Sequence, residues 1–478
     1  MRRFWKIFSI CFLSIGVTFS FSFFIYPLVY NDVHIPKKTN EELFYEELIT
    51  PDTYAIKNAK ITYYTTNNNN SNSITIDNAY DISFNCNLDL KKSDNIKCYG
   101  NVHITYKNAT GASDLPLLNS KFTYINNIIY LENSGVMLGN NNFSFELDGF
   151  TNFINLLSDY VLNSSFNLGD IFSFSNNFKE LKKSDDDITI YKYKTFYTYF
   201  NNNRLLFDTD ENFKISSIYT LKNEDLKISS NEFLRINILN ITKGAYVSIQ
   251  SPFNFFNKFD NLITSMNKLL TKYKEDRGIS LFGNFKFLYK DLISIEGNNL
   301  NIDIDKNKNI FITNNNNLRI KAGLFDLIIN GNIRIYDSIA YFDNFLNNEK
   351  AKLDLKKINE NAFSLNYKNL LSNLNNNYLS NKEFSFIKNI NTSNTNTKFI
   401  FNEKYGDNVN SVLTINYNSY NLSSITLNKF NFNQYSLNFD LNFKNSFNDF
   451  SADYNSLDTS AYIDRTDYII ILLLSLIS

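Results

Sequence analysis

The feature that most constrains this chain is a period-two alternation of apolar and polar residues between positions 81 and 105. The apolar positions before a polar turn at 91–95 are Ile82, Phe84, Cys86, Leu88 and Leu90. Those after the turn are Ile96, Cys98, Val102 and Ile104. Because successive side chains of a strand point to opposite faces, the pattern predicts an antiparallel hairpin with one apolar face.

The same hairpin makes a prediction about its cysteines. If Leu90 pairs with Asp94, the register places Cys86 opposite Cys98 on the apolar face. Opposed Cβ atoms lie about 4.5–5.5 Å apart, close to what a disulfide needs. The alternative is a register shifted by two, with two small buried thiols. Both interpretations stay open.

Shorter alternating segments recur at 122–131, 197–206, 300–312, 320–335 and 396–454. Strands at this spacing are typical of a mainly β chain built as a sandwich, roll or barrel. A few amphipathic helices punctuate the strands. Thr39-Asn-Glu-Glu42 predicts a capping box before a short helix that Pro51 ends, and Ser251-Pro252 predicts the start of a longer helix. Weaker apolar stripes at 150–161 and 367–378 predict two more.

The pattern divides the chain into seven regions. They are an anchor at 1–32, a linker with a short helix at 33–60, a β-rich domain at 61–250, a connecting helix at 251–277, a second β-roll segment at 278–346, a helix and β region at 347–468, and an apolar tail at 469–478. The tail is too short to span a bilayer as a helix. It fits a packed strand, a membrane-surface tail or a truncated end.

The N-terminus predicts a membrane anchor. Basic residues at 2, 3 and 6 precede the uncharged segment 7–30, which exceeds the roughly 20 residues that cross a bilayer. The positive end is expected in the cytoplasm, with the bulk of the chain on the extracytoplasmic side of the inner membrane. A cleaved signal peptide is the alternative, but no small-residue cleavage site ends the segment.

Composition argues against most enzymes and against nucleic-acid binding. The net charge is −1, with only 2 His, 3 Cys and 14 Gly. The chain contains no G-x-x-x-x-G-K-[ST], G-x-G-x-x-G or G-x-S-x-G motif. We therefore expect a non-enzymatic protein with no catalytic residues, no metal and no cofactor.

Two stretches carry a family resemblance. Ile96-Lys-Cys-Tyr-Gly-Asn-Val-His-Ile104, followed by strands at 122–124 and 128–131, resembles the periplasmic lipopolysaccharide-transport (Lpt, OstA-like) β-jellyroll family. A second copy lies at 296–302, 307–312 and 330–335. The order of a short cytoplasmic end, one membrane helix and a roll is similar to the family's anchored component. The chain is more than twice that component's usual length, and AsmA-like lipid-transfer proteins resemble it nearly as well.

The resemblance implies a β-roll whose apolar face binds or passes lipid, either lipopolysaccharide or phospholipid. An edge-to-edge β partner protein is also implied. The candidate lining residues are Ile82, Phe84, Leu88, Val102, Ile104, Phe122, Tyr124, Leu300, Ile302, Ile304, Ile310, Ile312, Ile333 and Ile335. The alternative is a structural or protein-binding envelope protein whose β domains have filled cores, because alternation alone does not distinguish a groove from a core.

Overall fold

A computed structural model gives the protein's structure in sixteen described segments. They are residues 38–68, 74–92, 95–108, 115–134, 139–157, 177–181, 194–200, 202–253, 255–290, 292–313, 318–323, 325–345, 349–363, 387–403, 410–432 and 435–477. The predicted anchor at 7–30 and the helical stripe at 367–378 lie outside them. Within these segments, no helix combines the length and apolar character needed to cross a membrane.

The chain forms two compact units, each built around one large sheet, which confirms a mainly β fold. The described strands of the first unit are β1 Thr53–Asn68, β2 Ile74–Asp89, β3 Lys97–Asn108, β4 Leu115–Ile125, β5 Ile128–Ser134, β6 Asn142–Glu146, β7 Lys179–Glu180, β8 Lys194–Phe200, β9 Asn203–Thr209, β10 Ile215–Thr220, β11 Leu226–Ser229 and β12 Glu232–Lys243. Their spatial order is β6-β5-β4-β3-β2-β1-β12-β10-β9-β8-β7, with β11 beside β12. Helix α1 spans Asn40–Ile49, and α2 spans Leu147–Leu157, of which the residues from Gly149 onward belong to the second unit.

Helix α1 begins at the predicted capping box. The Glu42 backbone N–H donates to the Thr39 hydroxyl, and the Glu42 carboxylate accepts from the Thr39 N–H. This satisfies two of the amide groups that a helix start leaves unpaired. The helix buries Phe44 completely, and its ring stacks on Phe196 with the centroids 4.3 Å apart. Burial of this aromatic pair holds α1 against β8.

The second unit repeats the arrangement. Its described strands are β13 Asn257–Lys258, β14 Gly278–Tyr289, β15 Ile293–Asp305, β16 Ile310–Thr313, β17 Leu318–Ala322, β18 Phe325–Tyr336, β19 Ile339–Asn344, β20 Ala351–Asp354, β21 Ile387–Thr392, β22 Asn396–Phe401, β23 Val412–Asn418, β24 Asn421–Phe432, β25 Tyr435–Phe443 and β26 Ile463–Asp464. The order from β14 onward is β21-β22-β23-β24-β25-β14-β15-β16-β18-β19-β20-β26, with β17 between β15 and β18. Its helices are α3 Asp260–Glu275, α4 Leu355–Ile358, α5 Ser451–Asn455 and α6 Thr466–Ile477, with a π-helical turn at Asn359–Phe363 and a 3₁₀ turn at Thr459–Ala461.

In both units the first long strand lies between its successor and the last long strand. β1 pairs with β2 and β12, and β14 pairs with β15 and β25, all antiparallel. Most of the other paired strands are adjacent in sequence, as in a meander, whereas the expected jelly roll distributes strands between two sheets. Within the units, the exceptions are β10 with β12, β15 with β17, β16 with β18 and the parallel pair of β20 with β26. Because β25 pairs with β14, strands on both sides of the predicted boundary at 346 belong to one sheet.

Two helices of the structure differ from what the sequence pattern predicted. The described residues between Pro252 and Asp260 are not helical and include the short strand β13, so α3 begins at Asp260 and not at Pro252. The C-terminal run folds as helix α6 and not as a strand; it buries Ile470 and Leu473 in the core of the second unit.

Candidate functional site

The candidate lining residues of the first unit lie on one face of β2, β3 and β4. Cross-strand pairs such as Ile82 with Ile104 and Phe84 with Val102 place them side by side. Their exposed fractions run from 0% to 8%. A groove wide enough for an acyl chain would also admit a water-sized sphere to its lining. These residues therefore form a filled core and not a groove wall.

The two cysteines of this hairpin are not opposed. Cys86 pairs with Gly100 and Leu88 with Cys98, so the predicted register is wrong by two residues. The last pair of the hairpin is Asp89 with Lys97, so the connection between the strands is longer than the predicted pairing of Leu90 with Asp94 allows. Both cysteines are buried free thiols, which is the shifted-register alternative. Burial, with Cys86 adjacent, raises the pKa of the Cys98 thiol.

The candidates of the second unit lie on the apolar face of its sheet but differ in burial. Leu300 and Ile333 are buried, at 0% and 2% exposure. The half-buried candidates are Ile302, Ile304, Ile310, Ile312 and Ile335. Ile302 pairs with Ile312, and Ile304 with Ile310, so the set forms adjacent rows across β15 and β16.

A continuous row of half-buried apolar residues crosses five strands of this sheet. We call it the apolar strip; in register across β25, β14, β15, β17 and β18 it consists of Leu437, Phe287, Ile295, Ile320 and Leu327. All five side chains are half-buried, and the last four pack against the buried core beneath them. At about 4.8 Å between strands, the strip is about 19 Å long.

Aromatic side chains border the strip on both sides. On one side the Tyr435 and Tyr289 rings lie 4.9 Å apart, and burial raises the pKa of the Tyr435 hydroxyl, which therefore stays neutral. On the other side Gly297 leaves room for Phe285, since a Cβ there would lie 2.6 Å from the Phe285 ring. Because Gly297 has no side chain, the Phe285 ring can lie over the backbone at this point.

The opposite face of the same strands is charged. Lys286 forms an ion pair with Glu296 at 2.6 Å, and Arg319 pairs with Asp326. The hydrogen bond from Lys286, which outweighs partial burial, lowers the pKa of Glu296. Because these residues alternate with those of the strip, apolar and charged groups are separated on the two faces. One face of this sheet thus suits an apolar ligand and the other suits water.

Sequence reasoning missed Phe287 and Ile295 as candidates. Their signal was the alternation Phe285-Lys286-Phe287 and Ile293-Ser294-Ile295. Leu437, Ile320 and Leu327 were predicted to be strand residues without being assigned to a ligand face. Across the described segments, no cluster of three or more His, Cys, Asp and Glu residues is arranged to hold a metal ion.

Comparison with known proteins does not assign this chain to a family. No family model and no curated protein matches it. One similar solved structure is a protein of unknown function from the DUF3598 family of Nostoc punctiforme. It is 11% identical, the match covers 85% of this chain and 100% of that one, and the TM-score is 0.12. A TM-score of that size gives no basis for transferring fold or function.

Proposed function

We propose that this protein is a non-enzymatic, membrane-anchored β protein that binds lipid through the apolar strip of its second unit. The observation that supports this proposal is the half-buried row from Leu437 to Leu327, which no described element covers completely. One leaflet of a bilayer holds acyl chains over about half of its roughly 30 Å hydrocarbon core, or about 15 Å. The strip is long enough for one such chain.

The energetics favour transient binding. Burying a methylene group contributes about 0.8 kcal/mol, so a chain of about fourteen methylenes gains roughly 11 kcal/mol when fully buried. An open face covers one side of the chain, which gives roughly half of that. Association costs at least about 4 kcal/mol. The small remainder suits a protein that passes lipid on better than one that stores it.

The predicted anchor at 7–30 would bring the second unit close to a source of lipid, on the extracytoplasmic side of the inner membrane. The first unit has a different role in this proposal. Its apolar face is filled, which favours the structural alternative for that unit. We therefore assign lipid contact to the second unit alone and regard the first unit as a rigid domain.

The test measures uptake of a fluorescent sixteen-carbon fatty acid by the full chain in detergent. We expect weak uptake by the wild type, in keeping with the small net free energy of binding above, and at least tenfold weaker uptake by Ile295→Lys, because a charge on the strip must be desolvated by the ligand. The matched control is Ile328→Lys, since Ile328 is 52% exposed on the opposite face of β18. Circular dichroism checks that both variants fold, and Ile295→Ala gives a milder test on the strip.

Two results would contradict the proposal. One is absence of uptake by the folded wild-type chain. The other is equal loss of binding in Ile295→Lys and Ile328→Lys, since a ligand on the strip does not touch Ile328.

A further inference from the structure

A second surface feature lies in the first unit and involves none of the lipid-contact residues. A groove of about 320 Å³ crosses the solvent face of β1 to β4, opposite the filled core. Its polar lining is Asn58, Lys60, Ser83, Asn85, Asn101, His103 and Asn119, all of them exposed. The floor includes Ala59, Phe84 and Val102, which are buried. The volume is at the lower end of the range for small-ligand sites.

A β-bulge shapes this groove. Between Ile56 and Ala59, β1 carries one residue more than β2 opposite it, and Asn58 adopts a positive φ of 55°. The Asn58 N–H donates to the Asn85 side-chain oxygen at 2.8 Å, so the side chain of the facing strand satisfies the bulge. Bulges bend a strand and redirect its side chains, often beside functional sites.

The motif Gly100-Asn-Val-His-Ile104 supplies the opposite wall. Val102 and Ile104 point into the core, whereas Asn101 and His103 point into the groove. Lys60, Ser83, His103 and Asn119 lie in one register row across β1 to β4, with Asn85 and Asn101 in the next row. Two rows of short polar side chains thus face one opening.

The chemistry of this lining favours hydroxyl groups over charges. Amide and hydroxyl side chains both donate and accept hydrogen bonds, as sugar hydroxyls do. The Lys60 ammonium lies 3.0 Å from the Asp81 carboxylate, which also pairs with Lys107 and accepts from Thr62. The charge of Lys60 is therefore already engaged. Tyr99, which is 39% exposed and two residues before Asn101 on the same face, offers a ring for stacking.

We propose that this groove binds a neutral saccharide, with Asn58, Asn85, Asn101 and His103 hydrogen-bonding its hydroxyl groups. The sugar can come from a free oligosaccharide or from the headgroup of a glycolipid, because the groove contacts the same atoms in either case. The proposal is independent of lipid binding by the second unit.

The test uses the full chain in detergent on an array of oligosaccharides ending in glucose, galactose, mannose or N-acetylglucosamine. The saccharide bound is then titrated by calorimetry. We expect Asn101→Ala to weaken binding about tenfold, because it removes hydrogen bonds to the ligand. Asn58→Gly keeps the positive φ and removes the amide, so it is expected to weaken binding with the bulge intact. Asn438→Ala, at an exposed strand asparagine of the second unit, is the matched control and leaves binding unchanged.

Vesicles bearing a glycolipid with the same sugar distinguish the two sources. Loss of vesicle binding in Asn101→Ala supports binding of the glycolipid headgroup in the groove. If Asn101→Ala still binds the vesicles and only Ile295→Lys does not, headgroup binding is overturned, since the contact is then through the lipid chain. The proposal is also overturned if no array sugar binds at millimolar concentration, if Asn101→Ala binds as the wild type does, or if the groove binds inorganic phosphate and no sugar. Thermal melting verifies that each variant is folded.

Discussion

Gly100 lies where the fold leaves no room for a side chain, and its substitution is our most specific prediction. A Cβ at this position would lie 2.1 Å from the Asn85 carbonyl oxygen and 2.8 Å from the Cβ of Cys86. Ordinary contacts begin at 3.4 Å, so Gly100→Ala must move β3 away from β2 by about 1.3 Å. The change acts on backbone atoms, which no rotation of a side chain relieves.

The cost follows from the ladder between these strands. Separating β2 from β3 at this point weakens about two backbone hydrogen bonds, each contributing roughly 1 kcal/mol. Strain in the neighbouring core adds about 1–3 kcal/mol. We expect Gly100→Ala to lower the free energy of unfolding by about 3–5 kcal/mol, a large part of the roughly 5–15 kcal/mol that stabilises a typical protein.

The reaction of the buried thiols Cys86 and Cys98 with a thiol reagent measures this loss locally, in a chain where Cys11 is replaced by serine. Both thiols react only when the strands that bury them open transiently. A decrease of about 4 kcal/mol in the free energy of opening therefore accelerates the reaction by close to a thousandfold. The control is Gly149→Ala in helix α2, where the nearest atom to a new Cβ is 3.7 Å away. Alanine favours helix, so this change is expected to stabilise by up to about 1 kcal/mol. Equal thiol reactivity in the two variants would refute the close-approach argument.

Two further predictions concern charged groups. Burial raises the pKa of Asp81, but hydrogen bonds from Thr62, Lys107 and Lys60 outweigh it and hold the pKa below its usual value. The stabilisation from a carboxyl whose pKa is depressed by folding is present above the unfolded pKa of about 3.9 and disappears as the pH falls through the folded value. The difference in the free energy of unfolding between Asp81→Asn and the wild type, measured in urea, is therefore expected to be constant from about pH 5 to 8 and to shrink progressively as the pH falls below about 4; a difference that does not shrink in acid would contradict this. Arg334, which is 8% exposed, bridges Asp343 and Asp453, so Arg334→Met is expected to cost roughly 3 kcal/mol in urea unfolding. The exposed Arg319→Met is the matched control and is expected to change little; similar losses in both would show that burial is not the cause.

The strands were predictable because their alternation is local. The pattern at 81–105 correctly assigned the buried face of β2 and β3, and the capping box located the start of α1. The hairpin register was not predictable from that pattern, because a shift by two keeps every side chain on its face.

The C-terminal helix and the features assembled from distant strands were harder to predict from the sequence. The run 469–477 contains Ile and Leu without a clear period, so periodicity does not distinguish a buried strand from helix α6. The apolar strip combines residues from β14 to β25, and no local signal links Phe287 to Leu437. The polar groove depends on the bulge at Asn58, which the sequence presents only as one more asparagine. Candidate sites assembled across strands therefore required the structure.

The pairing of the first long strand with the last in each unit has a consequence for synthesis. Tyr54 pairs with Lys243, so one side of β1 has no partner until almost the entire unit has left the ribosome. An unpaired strand edge can template association between chains during that interval. Sequence-distant pairing also slows folding, because loop closure must precede the contact. At a synthesis rate of about 5–20 residues per second, the exposed edge of β1 waits on the order of ten to forty seconds. Covering this edge of nascent β1 until β12 has been synthesised would prevent such association.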